Sequence, residues 1–212
     1  MSATTAFSTI LDNRKRGTVG DFLAQNIESN SKLSFVSAYF TIYAYQKLRN
    51  QLDSVDHLKF LFGEPTFIKA MDPNKVNKRD FKIEDDKLVI PIDNRLQQKS
   101  IAKDCADWIK EKVEIKSMVK PNFLHGKLYL VEKPNGVNEA AMGSSNFTVN
   151  GLGLGGSPNI ELNMVIQDRR DLTELKNWFN ELWNDNTGLV EDVKEEVLKY
   201  LEQLYVENEP EF

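Results

Sequence analysis

Apolar positions recur along the chain in two rhythms, one every three to four residues and one every second residue. From Thr18, the residues Val19, Phe22, Leu23 and Ile27 fall on one helical face, with Thr18 placed as the N-cap. Lys32 to Phe40, KLSFVSAYF, alternates and is rich in strand formers, so a strand is expected. A helical stretch from Thr41 to Leu52 follows, and HLKFLFGE, His57 to Glu64, reads as a second strand. Strand, helix and strand within about thirty residues predict a βαβ unit with a right-handed crossover and parallel neighbours. Leu96 to Val113 returns to helical spacing through Ile101, Ala102, Cys105, Trp108 and Ile109, and Val113 to Val119 is strand-like before Pro121. In FLHGKLYLVEK, Leu124, Gly126, Leu128 and Leu130 alternate with His125 and Lys127, so one strand should present both polar side chains on one face. Pro134, Asn135 and Gly136 make a turn, and NIELNMV, ending at Val165, reads as a further strand. From Asp168, Leu172, Leu175, Trp178, Phe179 and Leu182 predict an amphipathic helix and Val190 to Tyr205 a second, with Trp178 and Trp183 in the core.

Two regions follow neither rhythm. Residues 1 to 17 carry few apolar anchors and the cluster Arg14-Lys15-Arg16, which reads as a surface lead-in. In Pro65 to Arg95, KLVIPID holds a proline suited to an edge strand or a strand end. MDPNKVNKRD reads as an exposed loop, or as an insertion touching a substrate backbone through Lys75, Lys78 and Arg79.

The expected fold class is therefore α/β, a mixed and largely parallel sheet with helices on both faces. Residues 1–212 are read as a single domain, with 169–205 its helical C-terminal part. A chain of 212 residues, 41% hydrophobic and 28% charged, suits one well-buried core. No apolar run is long enough to span a bilayer, and the N-terminus lacks the apolar centre of a signal peptide, so a cytoplasmic protein is expected. The single Cys105 excludes an internal disulfide and reads as packing.

Charge alters the picture only once its distribution is followed. The net value of −5 argues against a polyanionic partner, yet Asp171 to the end holds 12 acidic and 3 basic residues, leaving 24 basic against 20 acidic before it. The remaining body is mildly basic, which permits phosphate binding, and the acidic tail reads as a solvated helix face.

Candidate chemistry gathers between Phe123 and Val165. His125 and Lys127, then Asn146 from the run Gly143-Ser144-Ser145-Asn146, then Glu161, bring a base, a cation, an amide and a carboxylate within reach of one place. The glycine-dense stretch Leu152 to Gly156 lacks the helix and spacing of a dinucleotide loop, and a mobile loop beside a site is expected instead. Together these pieces resemble the His-x-Lys signature of the phospholipase D superfamily: His125, Lys127, an acid five residues on at Glu132, then Gly143, Ser144 and Asn146, then Glu161. Glu132 stands where that family has Asp, and the hairpin before Gly143 is longer than its usual spacing.

The resemblance implies phosphodiester chemistry on a phospholipase D-like fold. A neutral His125 attacks phosphorus to give a phosphohistidine, Lys127 and Asn146 hold the non-bridging oxygens, and Glu161 accepts the other ring proton of His125. Ser144, Ser145 and Glu132 are expected as phosphate-binding or supporting residues. The leaving oxygen needs a proton, and the chain has only one other histidine, His57, which reads as structural. A single-signature member resembles half a site completed by a second copy, so a homodimer is expected. Two histidines, one cysteine and no spaced carboxylate cluster imply no metal site, and no cofactor is implied.

The chain looks closest to the nuclease-like branch, with its metal-independent restriction endonucleases and the phospholipase D-like modules at the N-termini of DEAD-type helicases. The resemblance thus implies DNA as partner and no membrane partner, and the ending ENEPEF fits a domain of a longer protein that includes a helicase. Two alternatives stand beside it: a noncatalytic DNA-binding and dimerisation module, and a phospholipid phosphodiesterase.

Overall fold

The computed structural model describes residues 9–63, 92–120 and 123–206, the side chains of 92–96 excepted. The expected strand KLVIPID and the cations Lys75, Lys78 and Arg79 lie outside the described residues.

Among the described residues eight strands form one sheet: β1 (Ile10–Leu11), β2 (Lys32–Ser37), β3 (His57–Phe62), β4 (Val113–Met118), β5 (Lys127–Glu132), β6 (Asn138–Gly143), β7 (Asn163–Ile166) and β8 (Val190–Asp192). Their order across the sheet is β1-β7-β6-β5-β2-β3-β4-β8. The predicted βαβ unit is present, with β2 parallel to β3 and Lys32 opposite His57. β3 is likewise parallel to β4. The parallel character goes no further: β1 with β7, β2 with β5, β4 with β8, β5 with β6 and β6 with β7 are all antiparallel. The sheet is mixed as expected but mostly antiparallel, and for β5 and β6 the reason is local. The short turn at Pro134-Asn135-Gly136, closed by the Gly136 amide on the Lys133 carbonyl at 3.0 Å, can join only antiparallel neighbours.

Six helices are described: α1 (Val19–Asn26), α2 (Ile42–Lys47), α3 (Arg49–Leu52), α4 (Ile92–Lys112), α5 (Arg169–Trp183) and α6 (Lys194–Tyr205). Thr18 caps α1 by accepting the Asp21 amide, Thr41 caps α2 through Ala44, and Asp168 caps α5 through Arg170 and Asp171, so three starts follow from side-chain acceptors at the N-cap. The helix expected from Thr41 to Leu52 breaks at Leu48 into α2 and α3. The apolar stripe expected as one helix from Val190 to Tyr205 begins instead as β8, which pairs with β4, and turns helical at Lys194.

Helices cover both faces. Leu33, Phe35, Leu58, Phe60 and Ile115 of the sheet pack with α1, α2, α4 and α6 in one cluster, and Val36, Leu61, Met118, Leu128 and Leu130 pack with Leu172, Phe179 and Trp183 of α5 in the other. Cys105 lies buried within the first cluster, as expected of packing. Trp183 is buried, stacked on Phe179 at 5.7 Å, but Trp178 faces outward at 38% exposure, contrary to its expected core place. Residues Ile10 and Leu11 of the supposed surface lead-in form β1 against Asn163 and Met164 of β7.

Candidate functional site

Strand directions decide where the candidate residues meet. β5 runs against both β2 and β6, and β7 runs against β6, so the end of β2, the start of β5, the end of β6 and the start of β7 share one sheet edge. Lys127 opposes Gly143, and Gly143 opposes Asn163. Lys127, the run 143–146 and Glu161, two residues before β7, are thereby brought together although they are distant in sequence. This edge also carries the C-terminal ends of the parallel strands β2 and β3, where open α/β sheets bind ligands.

His125 precedes β5 rather than lying within it, so the expectation of one strand presenting both His125 and Lys127 holds for Lys127 alone. Its position is fixed by the backbone crossing before it: a methyl group on Gly63, just past β3, would sit 2.5 Å from the Leu124 carbonyl. Only a residue without Cβ lets the chain pass so close. Lys127 Nζ donates to the His125 carbonyl at 2.9 Å, which ties the ammonium to the imidazole's own backbone.

Asn146 is held by the end of β2. Its Oδ1 accepts the Ala38 amide at 3.1 Å and lies 3.3 Å from Ser37 Oγ. With the acceptor committed there, the group Asn146 can offer a ligand is its amide nitrogen, a donor of two hydrogens. Ser37 Oγ also accepts the Phe147 amide at 2.9 Å and donates to the Tyr39 carbonyl at 2.7 Å, so it binds the Asn146–Phe147 turn to β2.

Beneath this turn the fully buried Tyr129, on β5, donates its phenol to the Ser145 carbonyl at 2.7 Å, and burial pushes that phenol's pKa up. Phe147 stacks on Phe40 at 5.3 Å and packs against Phe35 at 5.8 Å, an aromatic floor whose contacts each add about 0.5–1.5 kcal/mol beyond area burial.

Glu161 accepts the Ser144 hydroxyl, and Ser144 Oγ in turn receives the Leu162 amide at 3.0 Å. A carboxylate has about four acceptor sites, so the bond to Ser144 leaves capacity for a ring N–H. The close approach of the two segments needs Gly143, where an added Cβ would stand 2.1 Å from the Leu162 carbonyl. Ser145 is fully buried, and its hydroxyl accepts from Asn163 Nδ2 at 2.8 Å, so it shapes the turn from within rather than facing a phosphate. Glu132 does not join the site. It ends β5 at the opposite edge and pairs with Lys176 of α5, a strut between sheet and helix.

His57 also lies at that opposite edge, at the start of β3, with Nδ1 3.0 Å from Asp56 Oδ2. Among the described residues no three or more His, Cys, Asp or Glu side chains are grouped to hold a metal, and no helix is long and apolar enough to cross a membrane. Sequence reasoning missed Ser37, Tyr129 and Asn163. The one available signal was Tyr129, which continues the alternation of His125 and Lys127 into the buried strand.

The chain resembles two solved structures: polyphosphate kinase from Porphyromonas gingivalis (TM-score 0.54, 11% identity, 91% of this chain and 24% of that one) and phosphatidylserine synthase from Haemophilus influenzae Rd KW20 (TM-score 0.51, 10% identity, 93% and 43%). It therefore spans well under half the length of each. No curated protein matches it. The family described as "Cardiolipin synthase, PLD-like domain" matches residues 23–183, a span holding His125, Lys127, Asn146 and Glu161. The chain, with a mixed α/β sheet whose one edge gathers these residues, belongs to the phospholipase D-like family, whose chemistry is that of phosphodiester bonds.

Proposed function

We propose that the protein is a phosphodiesterase that cuts DNA without a metal ion, through a phosphohistidine formed in a site shared between two copies of the chain. The reading is supported by strand ends that bring Lys127, the Gly143–Asn146 run and Glu161 to one edge of the sheet, with His125 two residues ahead of Lys127. A ring nitrogen of His125 attacks phosphorus, a P–N bond forms, and the P–O bond to the leaving strand breaks. Lys127 and the Asn146 amide carry the charge that builds on the non-bridging oxygens, the part a divalent cation plays in metal-dependent enzymes. Glu161, oriented by Ser144, accepts a hydrogen bond from the one ring N–H of the neutral imidazole and so fixes the tautomer. Water then attacks the phosphohistidine, the P–N bond breaks, and the product phosphate leaves.

The leaving oxygen needs an acid, and His57 stands too far off to serve, at the other edge of the sheet. His125 of the partner subunit supplies that proton in this reading. An exposed apolar strip beside Glu161 supports a second copy there. Ile160, Leu162 and Met164 are 72%, 66% and 52% exposed, and Met142, itself exposed, lies opposite Met164. The mildly basic body favours DNA as the diester. The chain is further read as one module of a longer cytoplasmic protein with a helicase domain.

The test is cleavage of plasmid and single-stranded DNA in EDTA by wild type and His125→Ala, with sedimentation of the same samples. Chelator-resistant cleavage by a dimer, falling at least about a thousandfold in the variant, is expected. A dimer that binds DNA without cutting it makes the protein a binding module, and a monomer that cuts removes the shared site.

A further inference from the structure

The turn that follows β1, residues 12–17, leaves the sheet at the same edge as the site, because Leu11 pairs with Asn163 at the start of β7. It carries three consecutive exposed cations, Arg14, Lys15 and Arg16. A merely solvated lead-in needs no internal order, and this one is tightly built. Asp12 Oδ1 accepts the backbone amides of Arg14, Lys15 and Arg16 at 2.9, 2.9 and 3.0 Å. Asn13, 4% exposed and in the left-handed region at φ 58, donates to the Gly151 carbonyl at 2.8 Å and from its backbone to Gly17 at 3.0 Å. The turn is thus pinned to the loop that continues from Asn146. On its other side the Glu161 amide meets the Asp12 carbonyl at 3.4 Å. Arg16 Nη1 pairs with Asp12 Oδ2 at 3.1 Å, so one of the three positive charges is offset and a local excess remains in a chain whose net charge is −5.

Three strand intervals separate β1 from β5, roughly 14 Å at about 4.8 Å each. A nucleic-acid strand rises about 3.4 Å per nucleotide, so this reach is on the order of four nucleotides. We propose that Arg14, Lys15 and Arg16 form a fixed phosphate-binding rail that holds a nucleic-acid strand a few nucleotides away from the bond cut at His125. The inference rests on the phosphodiesterase reading and extends it. It makes the substrate a polymer rather than a small diester, and it makes Asp12 and Asn13 positioning residues for the rail.

The experiment uses the full chain as wild type, as Arg14→Gln/Lys15→Gln, and as the charge-preserving Arg14→Lys. Affinity for a fluorescent single strand of about 30 nucleotides is followed over a salt series, beside turnover of bis(p-nitrophenyl) phosphate, which is too small to reach the turn. The double variant is expected to lose about tenfold or more in strand affinity at low salt, with the slope of log affinity against log salt reduced by about 1.4 for two lost contacts. Its turnover of the small diester stays within about twofold of wild type, and Arg14→Lys retains the binding. Unchanged strand affinity and slope would overturn the rail. So would an equal loss on the small diester, or lost binding to phosphatidylglycerol vesicles with the strand still held. Should wild type turn over neither substrate, the catalytic reading falls, and the binding arm still decides the rail.

Discussion

Asp12 is half-buried, and three amides and the Arg16 guanidinium converge on its carboxylate and lower its pKa to about 2, the Arg16 amide weighing most. The folded value lies below the ordinary aspartate value of about 3.9. The contribution to the turn is therefore fully present above that ordinary value, and it is lost as pH falls through about 2. Carboxyl carbon NMR should give Asp12 a midpoint near 2, with the amides of Arg14 to Arg16 shifting in the same acid range; a midpoint near 4 would mean the acceptor is not engaged in solution. At this scale His125, Lys127, Asn146 and Glu161 were legible because their types and order carry the signal without any knowledge of direction. Glu132 was not, although five steps along an extended strand span about 17 Å and already lead away from Lys127. Trp178 misled for a related reason. Helical spacing assigns a stripe, and the stripe's margin is exposed as often as its centre is buried.

Among elements, the turn from Gly143 to Phe147 depends on buried partners below it. Tyr129→Phe keeps the ring in the core and removes only the phenol that serves the Ser145 carbonyl. A buried carbonyl left without its donor costs about 1–3 kcal/mol. Urea denaturation should show that loss. Diester turnover should fall more than substrate affinity, since Asn146 loses its alignment while the exposed cations are untouched. Full activity at reduced stability would separate the turn from the chemistry. The strands β2 to β4 could be read from their apolar alternation and length. β1 and β8, of two and three residues, could not, because so short a segment becomes a strand only through a remote partner. The same limit explains the overestimate of parallel pairing. Alternation reports which face a residue takes, not which way its neighbour runs, and direction was encoded only by the βαβ succession of β2 and β3 and by the tight turn at Gly136.

For the whole molecule, a site shared by two copies predicts a dependence that no self-contained enzyme shows. If each site needs both imidazoles, wild type mixed with an equal amount of His125→Ala and allowed to exchange should retain about one half of its activity, against all of it for independent sites. Titrating the variant into a fixed amount of wild type measures the curve, and an activity that does not fall excludes sharing. The edge location of the site has a temporal consequence too. Among the described residues β1 precedes the other strands, yet it pairs there only with β7, and β7 also completes the edge that holds Gly143. Such long-range pairings form slowly and late. In the proposed reading, a chain still emerging from the ribosome carries His125 but neither Glu161 nor the strand β7 that completes the site's edge, so it passes through synthesis with the site unassembled. The site's edge is completed by a pairing event, when β7 closes between β1 and β6.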